Sequence, residues 1–389
     1  PVSTGIWEII ANTTNIYTYT NPSESYCYRA LVDNICDKNG ADLYSATLCV
    51  TVNSSPIVTT APQSQSVCLG SSVNLSVTAS SPLALSYQWR KDGININGQT
   101  GTSLSISTAG TSDAGSYDVV VTNSCGSTIS NPAIVAVNPL PTVNVPANYS
   151  ICPGTLTSGT SFSSNPAGAT YTWTNSNTSI GLASGGTGDI PAFTALNPGT
   201  TTISSTITVT PTLNGCTGPS SSFIITVKPA PSALVPASFS VCSGTIISSS
   251  NFSSLPLGAS YTWTNSNTTI GLAAAGSNNV PSFTAINNTA LPVSATITVT
   301  PTLNGCTGTP STYTITVNPL PVITSVTPVN ETTCDLSDGK ITIAASGTAP
   351  LQYSINGGAT FSSSNLFENL AAGSYTVAVR SGNGCIVVG

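Results

Sequence analysis

Histidine and methionine are absent from this sequence, and charge is scarce: 5% of the 389 residues are Asp, Glu, Lys or Arg, against about a quarter in an ordinary soluble domain. Each absence removes a class of chemistry. Without histidine there is no Ser-His-Asp or Cys-His catalysis, no His-ligated zinc and no proton shuttle near neutral pH. With 7 basic residues in no cluster and a formal net charge of -6, nucleic acid and anionic membrane are poor partners. No apolar run approaches the length needed to span a bilayer. No signal peptide is visible in the sequence, which starts abruptly at Pro1. None of the 11 cysteines stands in a CxxC pair, so zinc-knuckle spacing is missing too.

What is present reads as strand. Val, Ile and Thr alternate in runs such as "TITVT" (206–210), the period-2 pattern of a half-buried β-strand. Disordered chains are poor in such residues, so the low charge does not signal disorder. Wide cysteine spacing points to disulfides in an oxidising compartment.

Repeats organise the chain. "YTWTNSNTSIGLA" (171–183) returns as "YTWTNSNTTIGLA" (261–273), and "TITVTPTLNGCTG" (206–218) returns unchanged at 296–308. Cys152 and Cys242, Trp173 and Trp263, and Cys216 and Cys306 keep the same step, as do the joints "NPLP" (138–141), "KPAP" (228–231) and "NPLP" (318–321). Residues 139–228 and 229–318 are therefore two copies of one module, joined through short stiff linkers in which proline fixes φ. Residues 54–138 form a more distant relative. The start, 1–53, reads as the C-terminal part of a truncated module, because "YRALVDNIC" (28–36) matches "YDVVVTNSC" (117–125). Trp7 is its candidate core tryptophan. "YCYRALV" and "SATLCVTV" read as a hairpin that sets Cys27 opposite Cys49, so those two are expected to pair. Residues 319–389 differ in pattern from the rest.

Segment 54–138 resembles an immunoglobulin-like domain. "GSSVNLSV" (70–77) looks like strand B, Trp89 like the core tryptophan of strand C, and "DAGSY" (113–117) like the tyrosine corner before strand F, with Tyr117 in the core. The resemblance would place core cysteines at Val77 and Val119. Both are valine, and the cysteines have moved to Cys68 and Cys125, which are expected to tie the strand A region to the end of strand F. The same scheme gives Cys152–Cys216 and Cys242–Cys306 in the twin copies. Each would close a loop of roughly 65 residues, worth about 4 kcal/mol in the chain-entropy model. Cys36, at the Cys125 position of the first module, would then have its partner before Pro1.

Segment 319–389 resembles the SprB-type repeat of large surface adhesins of gliding, Bacteroidetes-type bacteria. The motifs are "CDLSDGKITIAASG" (334–347), "YSINGG" (353–358) and "NLAAGSYTVAV…NGC" (369–385). Tyr353 is placed in the core, and the terminal Cys334 and Cys385 are counted among the disulfide cysteines. The twin copies, with "IPAFTA" (190–195) and "VPSFTA" (280–285), resemble PKD-like and Ig-like modules of the same secreted proteins.

Three candidate sites remain. In "YTWTNSN", alternation sets Tyr171 and Trp173 on one face and threonines on the other. Trp173 and Trp263 align with Trp89, so core packing outweighs a sugar-binding platform. Asp335 with Asp338, and Asp33, Asp37 and Asp42, are candidate calcium ligands, set against their ordinary place in turns. Asp92, Asp113 and Asp118 share one module but belong to turn and corner motifs, which leaves catalysis a minor reading.

The expectation is an all-β chain of tandem Ig-like/PKD-like β-sandwich modules, joined end to end as an elongated rod of about 150–190 Å, estimated from strands of about eight residues. Its expected role is a non-enzymatic stalk or adhesin segment at the cell surface, without cofactor or metal. The family resemblance implies export by type IX secretion, attachment at the outer membrane and use in gliding motility. It also implies partners among neighbouring modules, the secretion and gliding machinery, and a surface polysaccharide or substratum. The alternatives are carbohydrate- or host-binding modules, or the spacer of an extracellular enzyme.

Overall fold

The computed structural model describes residues 51–332 and 337–389, with the backbone of the short strands Tyr26–Tyr28, Leu31–Val32, Leu43–Tyr44 and Leu48–Val50. The described residues contain strands, turns and three single-turn 3-10 helices, with no α-helix. Two compact units divide the chain: Pro1–Pro141 with Thr212–Gly218, and Thr142–Pro211 with Pro219–Gly389.

In the first unit, one sheet runs in the order Ile94–Asn95, Ser86–Lys91, Gly115–Asn123, Ala133–Asn138 and Gln65–Cys68. The facing layer pairs Val73–Ser76 with Ser103–Ile106, and Ile57–Thr60 with Thr78–Ser80. Alternation decides which side chains enter. In Gly115–Asn123, Tyr117, Val119 and Val121 are buried, with less buried residues between them. Val77 and Val119 lie in one cluster with Trp89, Leu75 and Val135.

The second unit holds two near-identical sandwiches. The sheet Tyr149–Ile151, Ser221–Val227, Ile203–Leu213, Thr170–Asn175, Gly185–Thr187 is matched by Phe239–Cys242, Ser311–Asn318, Val293–Leu303, Ser260–Asn265, Ala275–Ser277. Each has its own core, around Trp173, Phe223 and Ile225 or around Trp263, Tyr313 and Ile315. Their outer faces carry hydroxyls where other proteins carry charge. Thr208 meets Ser222 at 3.1 Å, Ser204 meets Thr226 at 3.1 Å and Ser294 meets Thr316 at 2.9 Å across the strands. The C-terminal segment forms two three-stranded sheets over a smaller core of Ile341, Ile343, Val377 and Val379. Tyr353 is half-buried against this core rather than inside it.

One pairing recurs and fixes where the cysteines go. The first edge strand of each sandwich runs parallel to the last strand: Val135↔Gln65 through Asn138↔Cys68, Tyr149↔Ile225 through Ile151↔Val227, and Phe239↔Ile315 through Cys242↔Asn318. Cys68, Cys152 and Cys242 therefore sit beside the C-terminal end of the last strand. Cys125, Cys216 and Cys306 sit in the hairpin that starts it.

That placement overturns the expected disulfides. Residues 216–227 are strand for most of their length and span roughly 35 Å at about 3.3 Å per residue. Cysteines at the two ends of such a strand cannot meet at the ~5.5 Å Cα separation of a disulfide. Cys68–Cys125, Cys152–Cys216 and Cys242–Cys306 do not form. The bonds are Cys68–Cys216, Cys152–Cys306 and Cys242–Cys385, with Cα separations of 5.5, 5.4 and 5.5 Å. Cys125 carries a free, exposed thiol. Backbone register sets Cys27 opposite Cys49, but a bond between them lies outside the described residues. So do Trp7, Cys36, Cys334, Asp33, Asp37, Asp42 and Asp335.

Candidate functional site

The recurring site is the cross-module staple, built from the sequence "NGCTG". Asn214 and Gly215 both have positive φ, 50° and 77°, as do Asn304 and Gly305 at 52° and 84°. Two left-handed residues close a hairpin whose twist matches its strands. The turn sets Leu213 opposite Cys216 and Leu303 opposite Cys306, and both cysteines are buried. Two residues on, a glycine lets the hairpin lie against a proline joint. A Cβ on Gly218 would fall 1.6 Å from the Pro141 carbonyl oxygen, and one on Gly308 equally close to that of Pro231. Asn-Gly, Cys and Gly thus supply turn, bond and close approach within five residues.

Hydrogen bonds support the contact. Lys228 donates through Nζ to the Asn304 carbonyl at 2.9 Å, and Asn383 donates through Nδ2 to Asn318 Oδ1 at 3.3 Å. The hairpin of segment 54–138 repeats the arrangement without the bond. A Cβ on Gly126 would fall 2.6 Å from Ser55 Oγ, and Ser55 donates to the Cys125 carbonyl at 3.5 Å.

The tryptophans are core. Trp89, Trp173 and Trp263 are 0%, 4% and 2% exposed, so none of these three offers a platform for a sugar. Trp89 donates through Nε1 to the Gly101 carbonyl at 3.0 Å. The indole N–H groups of Trp173 and Trp263 are buried without a partner. The polar turn after each twin tryptophan points inward as well. Asn175 donates to the Leu182 and Ala183 carbonyls at 2.8 and 3.0 Å, and Asn265 makes the same pair at 3.0 and 3.2 Å. Asn177 caps the 3-10 turn Thr178–Ile180 by accepting from the Ser179 amide, and Ile180 and Leu182 enter the core. "YTWTNSNTSIGLA" is a strand, a buried asparagine latch and a capped turn.

Asp92, Asp113, Asp118 and Asp338 have structural partners. Arg90 grips Asp118 with two bonds of 2.6 and 2.8 Å. Asp113 accepts from the Gly110 amide at 2.8 Å, and Asp92 from the Ser116 amide at 2.9 Å. Tyr117 donates to the Asp113 carbonyl at 2.8 Å, the tyrosine-corner bond, and burial raises its pKa above the usual tyrosine value. Asp338 takes the amide and hydroxyl of Thr332, which hold its carboxyl below the usual range. Among the described residues no group of three or more Cys, Asp or Glu is arranged to hold a metal ion. A groove near the C-terminal sheet, lined by Val326, Pro328, Lys340, Leu370 and Tyr375, has its lysine engaged by Glu368 at 2.7 Å.

Residues 55–123 match the family model of the immunoglobulin domain, and residues 239–321 that of the PKD-like domain. The chain carries immunoglobulin-like and PKD-like domains in tandem. No curated protein matches. Among solved structures, an I-band fragment of titin is 13% identical, covering 68% of this chain and 99% of its own, with a TM-score of 0.44. The N-terminal eight immunoglobulin domains of Down syndrome cell adhesion molecule are 16% identical over 95% of this chain and 52% of theirs, at 0.37. Sidekick-1 immunoglobulin domains 1–5 are 18% identical over 77% and 68%, at 0.32. The Ig-like domain departs from the antibody pattern at the disulfide, as its valines at 77 and 119 require. The staples instead run from the Ig-like domain to the first PKD-like copy, from that copy to its twin, and from the twin to the C-terminal segment.

Proposed function

We propose that this chain is a non-enzymatic structural segment of a large secreted surface protein, a stalk that carries an adhesive function away from the cell. One observation bears most of the weight: the first-strand cysteine of each sandwich is bonded to a cysteine of the following domain, three times over. Such bonds persist in oxidising surroundings and are rare in reducing ones, which supports an extracellular location. A repeated bond that adds no cleft and no reactive group extends a support. The tandem Ig-like and PKD-like domains are of a kind typically structural or adhesive, and Asp92, Asp113, Asp118 and Asp338 are each engaged in structural hydrogen bonds.

Gliding motility, export by type IX secretion and outer-membrane attachment extend the proposal, on the SprB-type motifs of 319–389 alone. The segment boundaries 54–138, 139–228, 229–318 and 319–389 are proposed as the domain limits. Antibodies against residues 54–318 should label intact source cells, and deletion of the gene should reduce attachment to a polysaccharide-coated surface. Labelling seen only after permeabilisation would overturn the surface reading. Reduced attachment with undiminished spreading on agar would remove the gliding part and leave the adhesive one.

A further inference from the structure

The staples do more than join neighbours, because disulfides redefine the shortest covalent route along a chain, and tension follows the shortest route. From Cys68 the route crosses to Cys216, follows the backbone to Cys242, and crosses to Cys385. Residues 69–215 and 243–384 hang off it as loops. The backbone left on the route is residues 216–242, in which Cys216–Thr217, Ser221–Val227, Ser232–Leu234 and Phe239–Cys242 are already extended as strand and short connections, the proline joint 228–231 among them, link them. The third bond starts a second route of the same kind. Residues 125–152 lead through Gly126–Ile129, Ala133–Asn138, Thr142–Asn144 and Tyr149–Ile151 to Cys152, which crosses to Cys306. From there Ser311–Asn318 and Val322–Val329 continue.

We propose that the alternating staples form a covalent track that confines pulling force to the backbone between Cys216 and Cys242, with Cys152–Cys306 giving an overlapping route that takes load only when the first is broken, so that the oxidised array has a nearly fixed contour length. Force entering at Cys68 reaches Cys385 through Ser221–Val227, Ser232–Leu234 and Phe239–Cys242, while the strands that carry Trp173 and Trp263 themselves, Thr170–Asn175 and Ser260–Asn265, lie off the route. At about 3.5 Å per extended residue, the route from Cys68 to Cys385 is about 9 nm of backbone, against about 110 nm through the unbridged chain, a twelvefold difference. Cys125 stands at the head of the overlapping route, in the hairpin position that Cys216 and Cys306 occupy in theirs. The inference rests on connectivity and holds whatever the ends are anchored to.

The test is single-molecule extension of the whole chain held at its two ends, with the bonds of the same sample verified by non-reducing peptide mapping. Oxidised protein should lengthen to at most about 35 nm, most of it from residues 1–68. With dithiothreitol it should reach about 135 nm, with steps of about 30 nm as each sandwich opens. Steps of that size beyond the 35 nm limit in oxidised protein would overturn the proposal. Two substitutions separate a track from a mere crosslink. Cys306→Ser leaves the route through Cys216 and Cys242 intact and should not change the oxidised limit. Cys216→Ser forces the route back through Cys152 and Cys306 and should roughly double it. Equal lengthening in the two variants would refute the route, and if either fails to fold, the oxidised-against-reduced comparison stands alone.

Discussion

Trp89 and Trp173 hold equivalent places in their cores but differ in one atom's surroundings. Trp89 Nε1 has the Gly101 carbonyl, whereas Trp173 Nε1 is buried with nothing to donate to. A buried unpaired donor costs about 1–3 kcal/mol, so replacing that indole removes a penalty along with the packing. Trp173→Phe should therefore destabilise less than Trp89→Phe, by about 1–2 kcal/mol, as urea unfolding of the two variants would show. Gly186 must stay small beneath it: a Cβ there would come 2.6 Å from the Trp173 ring. Tyr117 makes the matching case for pH. Its folded pKa is raised, chiefly by burial. The stability this contributes is fully present below the ordinary tyrosine value near 10 and is lost as pH rises through the raised folded value. With no histidine in the chain, little should titrate between about pH 5 and 8. Tyr117→Phe should cost about 1 kcal/mol at neutral pH through its lost bond to Asp113, and should show a shallower fall in melting temperature above pH 10.

At the scale of elements, the parallel edge pairing governs everything around it. Alternation revealed the strands and their buried faces, and the shared step revealed the twin copies and their joints. "YTWTN" was legible as core because the aromatic and hydroxyl residues alternate. Disulfide partners were not legible, because spacing says how far apart two cysteines are along the chain and nothing about which end of a strand each occupies. One clue was available: "ICPG" and "VCSG" follow the joints 138–141 and 228–231 at the same distance, so those cysteines lie on a first strand, and a first strand parallel to the last must end where the last one ends. The burial of Asn175 and Asn265 was not legible, because asparagine is just as common in exposed turns. The pairing makes a sharp prediction. In Cys152→Ser, thiol-specific labelling and peptide mapping should find one new thiol at Cys306, with Cys216 still bonded to Cys68. A new thiol at Cys216 would restore the within-domain scheme.

At the scale of the molecule, scarcity of charge and abundance of hydroxyls are two sides of one design. The described ion pairs are Arg90–Asp118, Lys91–Asp92 and Lys340–Glu368; the two lysine pairs are solvent-exposed and contribute little, and the half-buried, doubly bonded Arg90–Asp118 pair acts within one sheet. Cohesion rests on separate small cores and the bonds between them. The three bonds close spans of 148, 154 and 143 residues. Each span alone would be worth about 5 kcal/mol in the chain-entropy model, though overlapping spans do not add. That overlap has a consequence for wear. The spans 68–216, 152–306 and 242–385 cover every peptide bond between Cys68 and Cys385 at least once, and two stretches twice. A protease that cuts any single loop there severs the backbone and yet releases nothing. Nicked protein should run as one intact species on a denaturing gel until reductant is added, and only then fall into fragments. A surface protein so built survives any single bite there without losing a piece.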